Sequence, residues 1–283
     1  MGKIKVLWMN NGEEATVPYI AEASDYHIQI ETCKTWTICR NILSDNNVQS
    51  ENRFDAVIIN VYCKTFERET PSILNLGNAI KWLENNCPRL PHFVINTKET
   101  IRKMDSDFLN LSLGAKNKCF SLSNSIGVLF ESIFEEVTNL PQWKYEKELA
   151  ICREQERESL LELLWKLRQK SRYLERDHTI PNECRKVLEG IRNSFNDGII
   201  IIPSISQPVP ALDTFSTSIG SAKDGIPEYI KRSFHTCCRV SQDGSHANET
   251  DKLIKEGKAP FLTRTLIFDL LNILNWLYDV NNR

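Results

Sequence analysis

Five short apolar runs alternate with helix-patterned stretches over residues 3–137, and this alternation constrains the fold more than any other feature of the chain. The runs fall at residues 4–8, 27–30, 56–61, 93–96 and 118–121. Helical patterns lie between and after them, at residues 16–23, 35–43, 73–85, 99–109 and 125–137. A strand followed by a helix and another strand needs a crossover, and successive crossovers cover both faces of a parallel sheet. The third repeat is the most sharply punctuated. Pro71 opens its helix, Asn85-Asn86-Cys87-Pro88 closes it, and Pro91 starts the next strand. Pro18 fits the first helix only in its first turn, where a missing N–H costs nothing. The expected fold is α/β: a doubly wound, parallel, five-stranded sheet.

The pattern changes at Asn139-Leu140-Pro141-Gln142, which divides the chain into residues 1–140 and 141–283. Residues 144–177 contain neither Gly nor Pro, and leucines recur at 149, 160, 161, 163, 164, 167 and 174. That spacing predicts one long helix with an apolar stripe. A second helix is expected over 183–195, a turn at Asn196-Asp197-Gly198, and a β-branched run at 199–202. Residues 203–216 read as a polar, proline-bearing loop, and further helices are expected over 227–240 and 263–278. The second half is therefore expected to be a mostly α-helical bundle.

A chain of 283 residues suits two domains. Its 41% apolar and 25% charged content is that of a soluble globular protein. A net charge of −2 argues against a nucleic-acid-coated or membrane-surface protein but leaves room for a local basic patch. No run of about 18 apolar residues spans a bilayer. The segment Met1-Gly2-Lys3-Ile4-Lys5 lacks a signal core. A cytoplasmic location is expected. The nine cysteines are odd in number and scattered, with no CxxC, which points to reduced, packed thiols. Cys237 and Cys238, adjacent on a helix, are not expected to face the core together. Metal-ligand spacings are missing, so neither metal nor cofactor is expected.

The run Lys5-Val6-Leu7-Trp8-Met9-Asn10-Asn11 and the run Phe54-Asp55-Ala56-Val57-Ile58-Ile59-Asn60-Val61 resemble the first and third strands of response-regulator receiver domains. In that family the first strand ends in an acidic pair that holds a divalent metal, and the later one ends in a phosphoryl-accepting aspartate. The matching positions here are Asn10, Asn11 and Asn60. An amide is a weaker ligand than a carboxylate for a hard cation, and it is not the carboxylate nucleophile that phosphotransfer needs. The family's Ser/Thr position is matched by Thr97, and its Lys-Pro by Ser121-Leu122, with Lys118 three residues early. The resemblance implies a flavodoxin-like receiver fold with its phosphorylation chemistry removed. Thr97 and Ser121 also read simply as polar caps at strand ends, and Asp55 as a turn residue at the opposite end of the sheet. The crevice at the carboxyl ends of the strands still offers a place for a small ligand or a protein partner.

The segment from Tyr229 to His246 resembles the signature region of HEPN-type helical domains, which carry an Arg, a short spacer and a His. Arg239 and His246 match it with a spacer of six. A second Arg-spacer-His, Arg172 to His178, also occurs, and Val240 stands where the family usually has a polar residue. The resemblance implies metal-independent RNA cleavage, in which a ribose 2′-OH attacks the adjacent phosphate. His246 would exchange the proton near neutral pH and Arg239 would hold the phosphate through its planar fork. Asp243 would orient the histidine. The family commonly completes such sites across a homodimer of helical domains. Asp243-Gly244-Ser245-His246 reads equally as a helix-ending turn.

Arg168, Arg172 and Arg176 share one helix face at i, i+4 and i+8 if the long helix is continuous, a row able to track an RNA backbone. The same row also reads as a solvated face. Two functions follow from these readings. One is a cytoplasmic signalling protein whose pseudo-receiver docks or senses something and controls a HEPN-like endoribonuclease, with stress response or anti-phage defence as the setting the resemblance implies. The other is a non-enzymatic adaptor acting through protein–protein contacts and dimerisation. A DNA-binding response regulator ranks third, since no helix-turn-helix is evident.

Overall fold

The computed structural model describes residues 2–11, 17–44, 54–96, 119–121, 126–169, 172–244 and 249–282. The chain forms two compact units, Met1–Leu140 and Pro141–Arg283.

The first unit holds strands β1 (Ile4–Met9), β2 (Ile28–Cys33), β3 (Ala56–Asn60), β4 (His92–Asn96) and β5 (Cys119–Ser121). They lie in the order β2-β1-β3-β4-β5, every neighbouring pair parallel. This is the doubly wound, flavodoxin-like sheet expected from the apolar runs. Helices α1 (Val17–Ala23), α2 (Trp36–Ser44), α3 (Ile73–Asn86) and α4 (Ile126–Thr138) accompany it. Leu7, Met9, Val57, Ile59 and Val94 pack with Cys39 and Leu43 of α2 and with Leu76, Ile80 and Leu83 of α3. The alternate residues Val6, Trp8, Ile58 and Ile95 are also fully buried. On α4, Leu129, Phe130 and Ile133 are buried, and Phe130 meets Tyr26 at 5.7 Å between ring centroids. Strands covered on both faces have no polar alternation, so their sequences are near-continuous apolar runs. Ser72 caps α3 by accepting from the Leu74 amide, just after Pro71. The helix expected over 99–109 lies outside the described residues.

The second unit is mostly helical: α5 (Pro141–Lys144), α6 (Glu146–Ala150), α7 (Glu154–Arg168), a 3-10 turn (Arg172–Arg176), α8 (Ile180–Asn196), α9 (Leu212–Ser221), α10 (Glu228–Gly244), α11 (Glu249–Lys255) and α12 (Leu262–Asn281). The single long helix expected over 144–177 is not formed. At 1.5 Å per residue it would run about 50 Å, against roughly 30 Å across a small domain. The chain breaks instead at 151–153, with Arg153 extended (φ −68°, ψ 171°), so that Tyr145, Leu149, Ile151 and Cys152 all reach the same core as Leu160 and Leu164.

Helix α10 is central and packs against α8, α9 and α12. That wide coverage buries Cys237 and Cys238 together, at 0% and 2% exposure, against the expectation that only one would turn inward. Helix α9 arises within what reads as a polar loop. Its Leu212, Phe215 and Ile219 follow helical spacing, and Phe215 stacks on Phe195 of α8 at 5.8 Å. The β-branched run at 199–202 lies in no described strand, and the Ile199 and Ile200 amides turn back to donate to the Ser194 carbonyl at 2.9 and 3.3 Å. Ile200 and Ile202 are buried, Ile199 and Ile201 are exposed, and Asn281 takes the place of a neighbouring strand for Ile201.

Candidate functional sites

Three asparagines, Asn10, Asn11 and Asn60, lie at the carboxyl edge of the sheet, at or just past the ends of β1 and β3. Asn10 follows β1 and is buried, its backbone N–H donating to the Cys33 carbonyl at 3.0 Å. Asn11 has a left-handed backbone (φ 60°), which asparagine tolerates better than most residues. Its Nδ2 donates to the Tyr62 carbonyl at 2.6 Å and its Oδ1 accepts the Lys64 amide at 3.2 Å. Asn11 therefore clasps the loop that follows β3.

Asn60 ends β3 and is completely buried. Its Oδ1 accepts the indole Nε1–H of Trp8 at 3.0 Å. An indole nitrogen only donates, so this contact fixes which way the amide points. Asn60 Nδ2 is then left buried with no hydrogen-bond partner. Asn60 is thus a neutral side chain turned onto an aromatic partner within the same sheet. Trp8 carries no motif signal, because its role depends on the register between β1 and β3.

The loop after β3 is braced further by residues that sequence reading did not single out. Glu69 Oε2 accepts the amides of Thr65 (2.7 Å) and Phe66 (3.2 Å), and its Oε1 accepts from Asn75 Nδ2 at 3.1 Å. The Asn75 bond and the Thr65 amide hold the Glu69 carboxyl below the usual range. Phe66, beside it, is 63% exposed. Ser121, the last residue of β5, is half-buried, and Thr97 lies outside the described residues. Asp55 sits at the opposite end of the sheet, where its Oδ2 accepts the Lys5 amide at 3.0 Å, a structural role.

In the helical unit, α10 continues past Val240 to Gly244, so Asp243 and Gly244 belong to the helix and not to a turn after it. Arg239 is exposed on α10, and Arg232 and His235 are exposed at helical spacing before it. Arg232 Nε lies 3.4 Å from Glu228 Oε1, an exposed pair. Val240 packs against the helical core. His246 lies outside the described residues, as does the side chain of Asp243, so the Arg239–His246 pair is not brought together among described atoms.

The proposed arginine row is interrupted. Arg168 ends α7, whereas Arg172 and Arg176 belong to the separate 3-10 turn, so the three do not share one α-helix. The Arg168 guanidinium lies 5.6 Å from the Trp165 ring centroid. Arg176 lies against Gly257, whose φ of 68° and lack of a side chain admit it; a Cβ there would stand 2.9 Å from Arg176 Nε. The side chain of Arg172 is outside the described residues. Lys166, on the same stretch, is engaged with Asp177 Oδ2 and Thr179 Oγ1, both at 2.9 Å.

The chain matches no family model and no curated protein. Among the described residues, no group of three or more His, Cys, Asp or Glu is placed to hold a metal ion, and no helix is long and apolar enough to cross a membrane.

Proposed function

We propose that the chain is a two-domain signalling protein. Its receiver-like unit docks or senses a partner without accepting a phosphoryl group, and its HEPN-like helical unit is the effector, a metal-independent endoribonuclease when active. The observation that carries this reading is Asn60: buried, uncharged and bonded to Trp8 where a phosphoacceptor carboxylate would stand. The exposed row Arg232, His235 and Arg239 supports contact of the helical unit with an anionic backbone. A homodimer through the helical unit would complete the cleavage site.

The adaptor reading has its own support. Val240, adjacent to Arg239, is given over to packing, and the net charge is near zero. One experiment separates the two. Purified protein is incubated with mixed RNA in EDTA beside Arg239→Ala and His246→Ala. Cleavage by the parent that both substitutions abolish supports the nuclease; intact RNA in every lane supports the adaptor. A parallel incubation with acetyl phosphate is expected to leave the mass of the protein unchanged, and phosphorylation at the carboxyl edge of the sheet would sink the pseudo-receiver reading.

A further inference from the structure

We propose that the surface around Phe66 docks an acidic protein segment that carries apolar anchor residues. The proposal rests on the reading that the receiver-like unit docks a partner, and it names the surface and the kind of partner. Phe66 stands in the loop between β3 and α3 and is 63% exposed. Its backbone is tied on both sides: its N–H donates to Glu69 Oε2 at 3.2 Å, and its carbonyl accepts the Glu69 amide at 3.1 Å. The Thr65 N–H donates to the same Glu69 oxygen at 2.7 Å, and Asn75 Nδ2 of α3 donates to the other at 3.1 Å. From α2, the Thr37 backbone N–H and hydroxyl both donate to the Thr65 carbonyl, at 3.2 and 2.8 Å. Cys63 and Ser72 close the base of the loop with an antiparallel bridge. A ring exposed on a turn braced from two helices loses little backbone freedom when a partner covers it, which favours it as a binding hot spot.

Two further exposed apolar side chains adjoin the same bonds. Ile38 follows Thr37 and is 38% exposed, and Leu74 precedes Asn75 and is 63% exposed. Among the described residues of the first unit, five large apolar side chains are exposed, and only Val17 and Val128 lie away from this network. Scattered single apolar residues are ordinary on a protein surface; three on one braced frame mark an interaction site.

Charge selects the partner. Residues 34–44 and 61–75 carry four cations, Lys34, Arg40, Lys64 and Arg68, against the two acids Glu67 and Glu69. Glu69 is engaged by the donors of the loop and of Asn75, so Glu67 is the free acid. Lys34, Arg40 and Arg68 are exposed, Lys64 is half-buried, and none of the four forms an ion pair among the described residues. A segment with aliphatic or aromatic anchors among Asp and Glu complements both the apolar centre and the basic rim. An anionic membrane fits less well, because Glu67 would be pressed against the headgroups beside Phe66.

The test immobilises the full chain and selects binders from a displayed library of random short peptides. Enriched sequences are then synthesised with a fluorophore and titrated by anisotropy. The expected peptides carry several Asp or Glu around Leu, Ile or aromatic anchors. Their affinity should fall about tenfold or more in Phe66→Ser, fall similarly in Arg68→Glu, and weaken as salt rises. Phe66 is exposed, so Phe66→Ser should keep the urea midpoint of the parent, which separates lost docking from a lost fold. No enrichment over bare resin, enriched peptides without acids, or binding unchanged in Phe66→Ser overturns the proposal. Phe66-dependent binding to vesicles of phosphatidylserine and phosphatidylcholine, or a dimer of the chain that Phe66→Ser dissolves, overturns it by naming a different occupant. The acetyl phosphate incubation judges the pseudo-receiver reading separately: a phosphorylated chain sinks that reading, whereas peptides indifferent to Phe66 leave it standing and sink this surface.

Discussion

The indole of Trp8 donates to Asn60 Oδ1 at 3.0 Å, joining β1 to β3 through two fully buried side chains. The bond occupies one end of a buried amide whose other end has no partner. A buried polar group deprived of its last hydrogen bond carries its full desolvation cost.

Trp8→Phe should therefore destabilise the first unit by about 1–3 kcal/mol through the orphaned Oδ1, in addition to any packing loss. Asn60→Leu, which removes both amide atoms at similar volume, should cost less in the Trp8→Phe background than in the parent. Urea unfolding of the four proteins in the cycle measures the coupling. Strictly additive losses would mean that the bond contributes nothing.

A second prediction concerns the clasp on residues 199–202. Asn281 Oδ1 accepts the Ile201 amide at 2.7 Å, and its Nδ2 donates to the Ile201 carbonyl at 3.1 Å. One side chain thus does the work of a neighbouring strand. Asn281→Ala should cost about 1–2 kcal/mol, two modest hydrogen bonds near solvent. Asn281→Asp keeps the acceptor and loses the donor, so it should fall between parent and alanine variant. Amide exchange at Ile201 is the local readout, and unchanged protection in Asn281→Ala would refute the clasp.

The first unit is legible because its strands are buried on both faces and their runs stand out from the sequence. Asn10, Asn11 and Asn60 are equally legible, since each ends such a run. The lock on Asn60 is not, because it joins residues 52 positions apart through a register that only folding sets. The helical half hides more. Its break at 151–153 carries neither Gly nor Pro, so local propensity favours a continuous helix that tertiary packing forbids. The arginine row fails at a different point, because α7 ends at Arg168 while Arg172 and Arg176 belong to the 3-10 turn that follows. The inward turn of both Cys237 and Cys238 follows from how many helices surround α10, which no periodicity within α10 reveals.

Gly190 of α8 and Glu156 of α7 give a third prediction. A Cβ on Gly190 would stand 2.0 Å from Glu156 Cγ, so the glutamate side chain lies across the bare helix backbone. Gly190→Ala gains up to about 1 kcal/mol of helix propensity but must displace Glu156. In the parent the two effects should oppose, leaving a neutral or destabilising change. In Glu156→Ala the clash is gone, and Gly190→Ala should stabilise. Thermal unfolding of the four proteins tests this, and a stabilising Gly190→Ala in both backgrounds would show that Glu156 does not need the gap.

The fourth prediction is a pH dependence. Asp177 joins Lys166 (2.9 Å) and Thr179, whose hydroxyl and amide donate to Oδ1 at 2.6 and 3.0 Å. Burial alone would raise its carboxyl, but the bonds from Thr179 and Lys166 more than offset this, and the net shift is downward from 3.8. A carboxyl depressed in the folded state binds fewer protons there than in the unfolded chain. Its contribution is complete above the unfolded value and is lost as pH falls through the folded one. Lys166→Met removes the cation and one of these bonds. The stability gap between parent and variant should therefore be widest at neutral pH and narrow steadily below about pH 4. Urea unfolding from pH 7 down to pH 3 reads it directly. A gap that stays constant across that range would assign the role of Lys166 to the packing of its methylene stem and not to its charge.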